Sequence, residues 1–443
     1  MTTFKASQSP RQRVGRPQTT GPMTVAQIAD AAVDKPLPFH LTAFDGSSTG
    51  PADSAIGAHL ADHRGLTYVL TAPGDLGLAR AYIAGDLEFS GVHPANLYPL
   101  LRAMADGLHL RRPALSEMAS IARGLGLRAL KPIGPPAQEA PPRWRRAIRG
   151  MRHSKSRDAD AIHRHYDVSN TFYEYVLGPS MAYTCAVYPD QGASLEQAQE
   201  AKFELVFDKL GLHEGERLLD IGCGWGSMVR YAARRGVRAL GVTLSAEQAE
   251  WAQRAIDEEG LGDLAEVRFQ DYRDVSEDGF DAISSIGLTE HIGVANYPSY
   301  FTELHQILRP GGRLLNHCIT RPENNTAFRT APFIDRYVFP DGELTGSGRI
   351  ISIMQDIGFE VRHSENLREH YALTLRDWCH NLERNWEACV AEVGMATAKV
   401  WGLYMSASRL AFERNNIQLH QVLAVRPGPH GDSAVPLRPW WSG

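Results

Sequence analysis

Short apolar runs alternate with helix-length segments along the second half of the chain. The runs have the length of buried strands, and the segments between them have the length of helices. The strand runs are residues 217–223, 237–244, 267–272, 280–287 and 312–319, and the clearest helices are residues 245–259 and 297–308. This order predicts an α/β fold with a mainly parallel sheet and helices on both faces. A last apolar run, residues 418–425, is predicted to be an edge strand that closes the sheet.

The first part of the chain has a different pattern. Residues 1–22 are rich in polar residues, proline and glycine and contain almost nothing to bury, which predicts a disordered tail. From residue 23 to residue 107 we expect a small α+β domain. Within it, residues 37–44 and 66–71 are predicted to form short strands, and residues 77–85 a helix ended by glycine.

Residues 108–159 form a basic stretch between the small domain and the α/β region. Twelve Lys or Arg residues stand between positions 108 and 157, against two acids, Glu117 and Glu139. Residues 113–130 alternate apolar and basic residues as a surface helix would. Because the whole chain carries a net charge of −5, this positive charge is local, and it would suit an anionic surface of phospholipid or nucleic acid. A solvated linker is the open alternative.

Composition limits the class of protein further. The chain is 43% hydrophobic, no apolar run approaches the ~20 residues of a membrane-spanning helix, and the first residues lack the layout of a signal peptide. A cytoplasmic protein is therefore expected. The five cysteines are scattered without a C-x-x-C pair, which favours reduced thiols, and no metal site is predicted. Residues 431–443 are expected to be a flexible tail.

A glycine-rich loop follows the first strand of the α/β region. Residues 217–226 read Arg-Leu-Leu-Asp-Ile-Gly-Cys-Gly-Trp-Gly, an apolar strand that runs into Gly222, Gly224 and Gly226. Glycines let the backbone turn and approach a ligand closely at the carboxyl end of a strand. A dinucleotide-binding loop would need a G-x-G-x-x-G spacing and an acid about 20 residues later. The acid here is Asp220, ahead of the glycines, where a carboxylate suits a ligand with a positively charged amine.

This loop resembles the first motif of class I methyltransferases, whose acid and glycines hold the methionine end of S-adenosylmethionine. Further segments resemble one family in that class, the cyclopropane-fatty-acyl-phospholipid synthases with the related mycolic-acid cyclopropane synthases and fatty-acyl methyltransferases. The segments are residues 165–170, 181–188, 219–226, 241–245, 285–293 and 337–342. The resemblance implies a seven-stranded, Rossmann-like methyltransferase sheet with helical insertions, in a domain of residues 160–430.

The same resemblance implies which residues hold S-adenosylmethionine and its product S-adenosylhomocysteine. They include the glycine loop, residues before it that cover the cofactor, and residues after the following strands that border its sugar and adenine. The full set is Tyr166, Tyr183, Thr184, Asp220, Gly222, Gly224, Gly226, Thr243, Leu244, Gln248, Gln270, Asp271, Tyr272 and Ile286.

The family also carries a bicarbonate ion beside the reacting methyl group. The positions that match its ligands are Cys185, Glu290, His317, Ile319 and Tyr371. An alkene that accepts a methyl group becomes a carbocation, so the site needs a base for the departing proton and aromatic faces that ease the charge. The aromatic candidates are Tyr166, Phe172, Tyr183, Tyr337 and Trp386.

Three of these catalytic candidates also have an ordinary structural explanation. Cys185 could be a small buried hydrophobic residue, Glu290 a helix cap, and His317 a core histidine whose polar atoms are satisfied. Intact flanking motifs favour the site role for Cys185 and Glu290, and the alignment of residues 312–319 favours it for His317.

Together these features predict transfer of a one-carbon unit from S-adenosylmethionine to the cis double bond of an unsaturated phospholipid acyl chain. The expected product is a cyclopropane, or a methylene or methyl-branched chain of the tuberculostearate type. Because acyl chains lie in a bilayer, we expect the small domain and the basic stretch to dock peripherally on a phospholipid membrane surface. A homodimer and a reductase acting on a methylene product are further partners that the resemblance leaves open.

Other functions stay open at this point. They are methyl transfer to carrier-bound mycolic-type chains, to a small molecule or to RNA, and cofactor binding without catalysis. Nucleic acid is not expected as a partner, because the chain has no Asn-Pro-Pro-Tyr motif and no aromatic strand platform that stacks bases. The intact Cys185, Glu290 and His317 positions argue against a loss of catalysis.

Overall fold

The computed structural model describes residues 23–109, 131–141, 169–324, 331–340 and 342–441. Within these ranges the chain forms a four-stranded sheet near the N-terminus and a seven-stranded sheet in the α/β region. The predicted tail 1–22, the predicted surface helix 113–130 and Tyr166 lie outside the described residues.

The N-terminal domain packs short strands against short helices. Its described elements are α1 (Val25–Ala31), β1 (His40–Ala43), β2 (Ser48–Thr49), β3 (Gly57–Leu60), α2 (His63–Thr71), α3 (Asp75–Ile83), β4 (Leu87–Ser90) and α4 (Tyr98–Gly107). The strand order is β2-β1-β3-β4, with β1 and β3 parallel and the other pairs antiparallel. This arrangement confirms the predicted α+β class of the small domain.

The prediction of a strand over residues 66–71 is wrong, because these residues belong to α2. The Asp62 carboxylate accepts a hydrogen bond from the Arg64 N–H and so starts this helix. A short apolar run cannot by itself distinguish a strand from the buried face of a helix. The strand predicted over 37–44 is confirmed as the shorter β1, and the helix predicted over 77–85 is confirmed as α3.

The α/β domain is built around the larger sheet. Its elements are α5 (Asn170–Leu177), α6 (Leu195–Leu210), β5 (Arg217–Ile221), α7 (Ser227–Ala233), β6 (Arg238–Thr243), α8 (Ala246–Glu258), β7 (Ala265–Phe269), β8 (Phe280–Ile286), α9 (Thr289–Ile292), α10 (Tyr297–Ile307), β9 (Leu308–Thr320), α11 (Pro332–Tyr337), α12 (Ser347–Ile357), β10 (Glu360–Asn366), α13 (Arg368–Arg384), α14 (Trp386–Val393), α15 (Met395–Glu413) and β11 (Gln418–Val425). All five strands predicted in this region are present, so the α/β prediction is confirmed.

The strand order of the larger sheet is β10-β11-β9-β8-β5-β6-β7. Strands β5 to β9 are parallel, and β11 is antiparallel to both of its neighbours, β9 and β10. The prediction that residues 418–425 form an edge strand is therefore wrong. Every residue of β11 after Gln418 is buried, as suits a continuous apolar run inside a sheet. The edge is β10, whose polar residues were not recognised as a strand.

One hydrophobic core joins the N-terminal domain to the helices of the α/β domain. It includes Val25 and Tyr82 at one end and Trp401 and Tyr404 of α15 at the other. Helix α15 packs against α3 and α4. Gly402 permits this close packing, because a Cβ atom there would lie 2.1 Å from the Pro94 carbonyl oxygen. The N-terminal domain thus packs against the same helices that cover the larger sheet.

Residues 131–141, the described part of the basic stretch, connect the two domains. The buried Glu139 carboxylate accepts two hydrogen bonds from Arg80 of α3, at 2.6 and 2.7 Å. The same carboxylate forms an ion pair with Arg336 of α11 and accepts from the Tyr337 hydroxyl at 3.1 Å. Tyr68 donates to the Gly134 carbonyl oxygen at 2.9 Å. This part of the stretch is therefore packed between the two domains.

The end of the chain is also attached to the α/β domain. The Trp440 indole N–H donates to the Asp208 carbonyl oxygen at 2.7 Å, and the Trp441 ring lies 4.9 Å from the His363 ring. These two contacts fall within residues 431–443, the segment expected to be flexible. Among the described helices, none combines the length and the apolar content needed to cross a membrane.

Candidate active site

The glycine loop lies where β5 ends at the carboxyl edge of the sheet. Gly222, Gly224 and Gly226 have positive φ angles of +72°, +55° and +71°. A Cβ atom on Gly222 would lie 3.2 Å from the Leu288 side chain, whereas a Cβ atom on Gly224 would meet no atom of the described residues within 4 Å. The loop therefore leaves open space above Gly224, as required where a ligand approaches the backbone closely.

Asp220, at the end of β5, is buried beside this loop. Its carboxylate accepts a hydrogen bond from the Ser284 hydroxyl at 2.6 Å. Burial raises the pKa of Asp220 to about 6, although the Ser284 hydrogen bond and the positive charge of Lys202 both lower it. The carboxyl can therefore be charged at neutral pH, as the sequence argument for a cationic ligand requires.

Lys202 of α6 is a buried cation near this site that the sequence analysis missed. Its Nζ donates to the Thr184 hydroxyl at 2.9 Å and lies 3.8 Å from the centre of the Phe203 ring. Burial lowers the pKa of Lys202 to about 7. The spacing Leu195, Ala198, Lys202, Val206 places this lysine on the apolar stripe of α6, and that helical period is the signal that could have found it.

The remaining predicted cofactor residues follow the next strands of the sheet. After β6, the Thr243 hydroxyl donates to the Gln248 side chain at 2.8 Å, and Leu244 between them is half-buried. After β7, Gln270 donates to the Asp274 carbonyl oxygen at 2.6 Å. The Asp271 carboxylate is engaged by the Arg273 guanidinium at 2.6 and 2.8 Å.

Two aromatic residues and one aliphatic residue complete the predicted cofactor set. Tyr272 begins the short 3-10 turn Tyr272–Asp274 and packs edge-on against Tyr300, with 5.2 Å between the ring centres. Ile286 is the last residue of β8. The centre of the Tyr183 ring lies 5.8 Å from that of Tyr173, which is a neighbour of the glycine loop. The cofactor roles of these residues stay predictions.

All five predicted catalytic residues line one cavity of about 990 Å³ between the carboxyl edge of the sheet and helices α13 and α15. They come from four separate places in the sequence, because His317 and Ile319 both belong to β9, and the fold brings them together. The five are Cys185, Glu290, His317, Ile319 and Tyr371. Tyr183 and Thr184 of the predicted cofactor set line the same cavity, so the two sets adjoin.

Glu290 lies at the start of α9 with its carboxyl turned towards β9. Its Oε1 accepts a hydrogen bond from the Ile319 backbone N–H at 2.7 Å. Its Oε2 is buried and has no hydrogen-bond partner among the described residues. Burial raises the pKa of this carboxyl to about 7. The side chain therefore does not cap a helix, and the Ile319 N–H that the resemblance assigned to an ion is occupied by Glu290.

His317 lies near the carboxyl end of β9 and is 1% exposed. Its Nδ1 is 3.1 Å from the Gln421 side-chain nitrogen, and its Nε2 has no hydrogen-bond partner among the described residues. Burial and the nearby charges of Lys202 and Lys209 lower the pKa of His317 well below its usual range. The ring is therefore neutral at physiological pH. His317 is therefore not a core histidine whose two ring nitrogens are both hydrogen-bonded within the described residues.

Cys185 and Tyr371 complete the cavity wall. The Cys185 thiol is fully buried and lies 3.2 Å from the Ala186 carbonyl oxygen. Burial raises the pKa of this thiol, so it stays protonated and can act as a weak donor but not as a nucleophile. Tyr371, on α13, packs its ring 4.5 Å from that of Phe412.

Only part of the predicted aromatic set faces the cavity. Tyr183 lines it and shares a 3.1 Å hydrogen bond with the hydroxyl of Tyr404, a cavity residue that the sequence analysis missed. Phe172 instead packs in the core against Trp401 at 5.3 Å between ring centres. Tyr337 binds Glu139, and Trp386 packs against His93 of the N-terminal domain. Tyr404 comes from α15, outside every motif, so only the tertiary structure reveals it.

Comparison with known proteins gives the same result as the geometry. Residues 153–422, more than half of the chain, match the family model described as mycolic acid cyclopropane synthetase. The chain belongs to this family. The family resemblance inferred from the motifs is thereby confirmed, as is the class of enzyme: an S-adenosylmethionine-dependent methyltransferase of the cyclopropane synthase type.

Relatives of known sequence match nearly the whole chain. A probable fatty acid methyltransferase of Mycobacterium tuberculosis is 61% identical over 96% of this chain and 99% of its own length. A tuberculostearic acid methyltransferase of the same organism is 32% identical over 89% of both chains. These family members therefore share the N-terminal region with this chain.

A solved structure matches the α/β domain. A mycolic acid cyclopropane synthase, in complex with S-adenosylhomocysteine and CTAB, superposes with a TM-score of 0.56 at 30% identity. The match covers 97% of that chain but 60% of this one. The predicted seven-stranded methyltransferase fold is confirmed, and the N-terminal domain is an addition to the part that this neighbour shares.

Proposed function

We propose that this family member transfers a one-carbon unit from S-adenosylmethionine to the cis double bond of an unsaturated phospholipid acyl chain. The observation that carries the proposal is the cavity itself. It joins the predicted cofactor residues Tyr183 and Thr184 to apolar walls from α11, α13 and α15, and places two buried polar atoms, Glu290 Oε2 and His317 Nε2, among them. A cavity whose lining is more apolar than polar, with polar atoms at fixed places, suits an acyl chain better than a base or a polar metabolite.

The residues around the glycine loop fit S-adenosylmethionine. Open space above Gly224 would receive its methionine part, and the Asp220 carboxylate would balance its positive amine. When bound, this cofactor supplies an electrophilic methyl group. The protein's contribution is to exclude water from the cavity and to offer the faces of Tyr183 and Tyr404 to positive charge that develops on the chain.

Two unsatisfied buried atoms fit a small anion such as bicarbonate. Glu290 Oε2 would accept the hydroxyl of bicarbonate, and His317 Nε2 would donate to one of its other oxygens. When bound, bicarbonate supplies a base for the proton that leaves the methylated chain. The Cys185 thiol cannot be this base, because burial raises its pKa and keeps it protonated.

The N-terminal domain and the basic stretch support a phospholipid rather than a carrier-bound substrate. Both are additional to the region shared with the solved mycolic acid enzyme, and the full-length relatives bear the names of fatty acid methyltransferases. Arg321 and Arg349 line the same cavity and would suit an anionic headgroup. Sedimentation with phosphatidylglycerol vesicles should decrease as salt rises, while phosphatidylcholine vesicles serve as the control. Binding that is equal for both lipids would contradict peripheral docking through charge.

The decisive experiment identifies the acyl product. The protein is incubated with isotopically labelled S-adenosylmethionine and vesicles of dioleoyl phosphatidylglycerol, with fully saturated phosphatidylglycerol as the matched control. We expect label in the oleoyl chains alone, and mass spectrometry then distinguishes a cyclopropane from a methylene or methyl-branched product. An absence of label from the oleoyl chains would refute the proposal. A methylene product would point to a reductase as the next enzyme.

A further inference from the structure

A row of polar side chains crosses three strands behind the candidate active site. Glu365 of β10 is directly opposite Gln421 of β11, and Gln421 is directly opposite His317 of β9. Directly opposed residues of neighbouring strands present their side chains on the same face of a sheet. Lys209, near the end of α6, packs over this row from above the sheet. The row leads from the edge strand to the cavity.

The members of the row are connected by hydrogen bonds. The Lys209 ammonium is ion-paired with the Glu365 carboxylate and donates to Gln421 Oε1 at 2.7 Å. Gln421 Nε2 lies 3.1 Å from His317 Nδ1. Lys209 and Gln421 are fully buried, whereas the Glu365 side chain is 38% exposed at the edge of the sheet. The charge of the lysine is thus balanced at the solvent end of the row.

This order of contacts dictates where the proton of the imidazole lies. An ammonium group has donors and no acceptor, so the carbonyl oxygen of Gln421 must face Lys209 and its NH₂ group must face His317. An N–H donor needs an acceptor, so the ring nitrogen that faces Gln421 carries no proton. Because the buried imidazole is neutral, its single proton is on the other nitrogen, Nε2. That nitrogen is the atom without a hydrogen-bond partner among the described residues.

We propose that Lys209 and Gln421 are positioning residues that hold His317 as the Nε2–H tautomer, so that the ring donates to an anion bound beside Glu290. The opposite tautomer would turn a lone pair towards the anion and repel it. The identity of the anion as bicarbonate rests on the proposed function, whereas the tautomer does not. At metal sites, outer groups that orient a ligating histidine in this way are typically worth roughly 10- to 100-fold in affinity or activity, and we expect an effect of similar size here.

The sharpest variant is Gln421→Glu, which preserves size and keeps an acceptor for Lys209. A carboxylate beside the ring accepts a hydrogen bond, so it should place the proton on Nδ1 and reverse the tautomer. Lys209→Met is the second variant, because it leaves the Gln421 amide free to turn over and should give a mixture of tautomers. Gln418→Glu is the matched control: it makes the same change on the same strand, but Gln418 contacts Asn415 and not His317.

Two measurements test the proposal. Nitrogen-15 NMR of histidine-labelled protein, with His317 signals identified by their loss in His317→Gln, reports the tautomer directly. We expect Nε2–H in the wild type and in Gln418→Glu, and Nδ1–H in Gln421→Glu. The second measurement is turnover against added bicarbonate in carbonate-depleted buffer. The half-saturating bicarbonate concentration should rise roughly tenfold or more in Gln421→Glu, with unchanged affinity for S-adenosylmethionine.

The outcomes separate this inference from the proposed function. A proton on Nδ1 in the wild type, or a tautomer and turnover in Gln421→Glu equal to those of the wild type, would overturn the positioning role. Turnover of the wild type that is independent of bicarbonate, together with a reversed tautomer and lost turnover in Gln421→Glu, would uphold the positioning role. Wild-type turnover that does not depend on bicarbonate would, however, remove bicarbonate from the proposed function.

Discussion

The Glu290 carboxyl shows how a single buried residue can be prepared for chemistry. One oxygen is fixed by the Ile319 N–H, and the other faces the cavity without a partner among the described residues. A buried, unsatisfied oxygen costs free energy, and proteins retain such atoms where a ligand satisfies them. The raised pKa, about 7, allows the group to accept or hold a proton near neutral pH.

Glu290→Gln is expected to lower turnover by at least roughly 100-fold, since the amide presents a donor or a weaker acceptor in place of the carboxylate. Affinity for S-adenosylmethionine should stay within about twofold of the wild type, because Glu290 is outside the glycine loop. Turnover is measured with the labelled cofactor, and affinity by isothermal titration. Unchanged turnover would exclude Glu290 from the mechanism.

Gly224→Val is expected to abolish binding of S-adenosylmethionine. A Cβ atom at this position has no atom of the described residues within 4 Å, so the new side chain is expected to clash with the ligand, and the positive φ adds strain of roughly 1–2 kcal/mol. Gly260→Val is the control, because Gly260 also has a positive φ, +68°, and open space around its Cβ position. Calorimetry should show similar losses of stability in both variants, and lost binding in Gly224→Val alone. Equal binding in the two variants would disprove the assignment of the loop.

At the scale of elements, the sequence predicts this fold well wherever one apolar period dominates. The alternation of short apolar runs with helix-length segments correctly predicted the five parallel strands and the helices after β6 and β8. Two predictions were wrong: the strand at residues 66–71 and the edge position of β11. Both failed because a short apolar run does not reveal which neighbours bury it. The polar strand β10 has no apolar run at all.

The same reasoning explains which site residues the sequence could reveal. Cys185 and Glu290 lie in recognisable motifs and His317 in the predicted strand 312–319, which the resemblance aligns with the family, so their common site could be predicted. Tyr404 and Gln421 belong to α15 and β11, and they reach the site only because those elements pack beside it. Lys209 resembles a solvent-facing residue of an ordinary helix until the burial of α6 is known, whereas the apolar stripe of α6 could have revealed Lys202.

Lys202→Met tests the buried face of α6 through the pH dependence of stability. The folded protein holds this proton less tightly, with a pKa of about 7, than the unfolded chain, where lysine titrates near 10.5. Between these values the unfolded state binds more protons, so the lysine's contribution to stability rises with pH and is lost as pH falls towards 7. The unfolding free energy of the wild type relative to Lys202→Met should therefore increase by up to roughly 1 kcal/mol per pH unit from pH 7 to pH 10.

Denaturant unfolding across this pH range measures the difference. Lys35→Met, at an exposed lysine of the N-terminal domain, controls for the change in net charge. A difference between the wild type and Lys202→Met that does not depend on pH would show that Lys202 is not buried as described.

On the scale of the whole molecule, Glu139 joins the two domains. It is one of the few acids in the basic stretch, and it holds Arg80 of α3 and Arg336 of α11 with a carboxylate that is fully buried. Ile334 of α11 lines the cavity, so this ion-pair cluster also supports the wall of the site.

Glu139→Ala is expected to lower the unfolding free energy by roughly 3–5 kcal/mol, because it leaves two largely buried guanidinium groups without their anion. Glu88→Ala removes an exposed acid from the N-terminal domain and should change stability by much less. Thermal and denaturant unfolding measure both variants. A loss for Glu139→Ala no larger than that for Glu88→Ala would mean that the cluster contributes little to holding the domains together.

The shared core between the N-terminal domain and α15 also governs how the chain can fold. Tyr98 is bonded to Glu413 and Asp106 to Arg414, pairs that are 315 and 308 positions apart. Contacts of such sequence separation form late, since a very long loop must close before they are made. On the ribosome, the N-terminal domain is synthesised before α15. Its α15-binding face therefore stays exposed until α15, the last of the described helices, has been made. The nascent chain therefore exposes this apolar surface of the N-terminal domain for most of its synthesis. The surface is buried only when α15 packs against it.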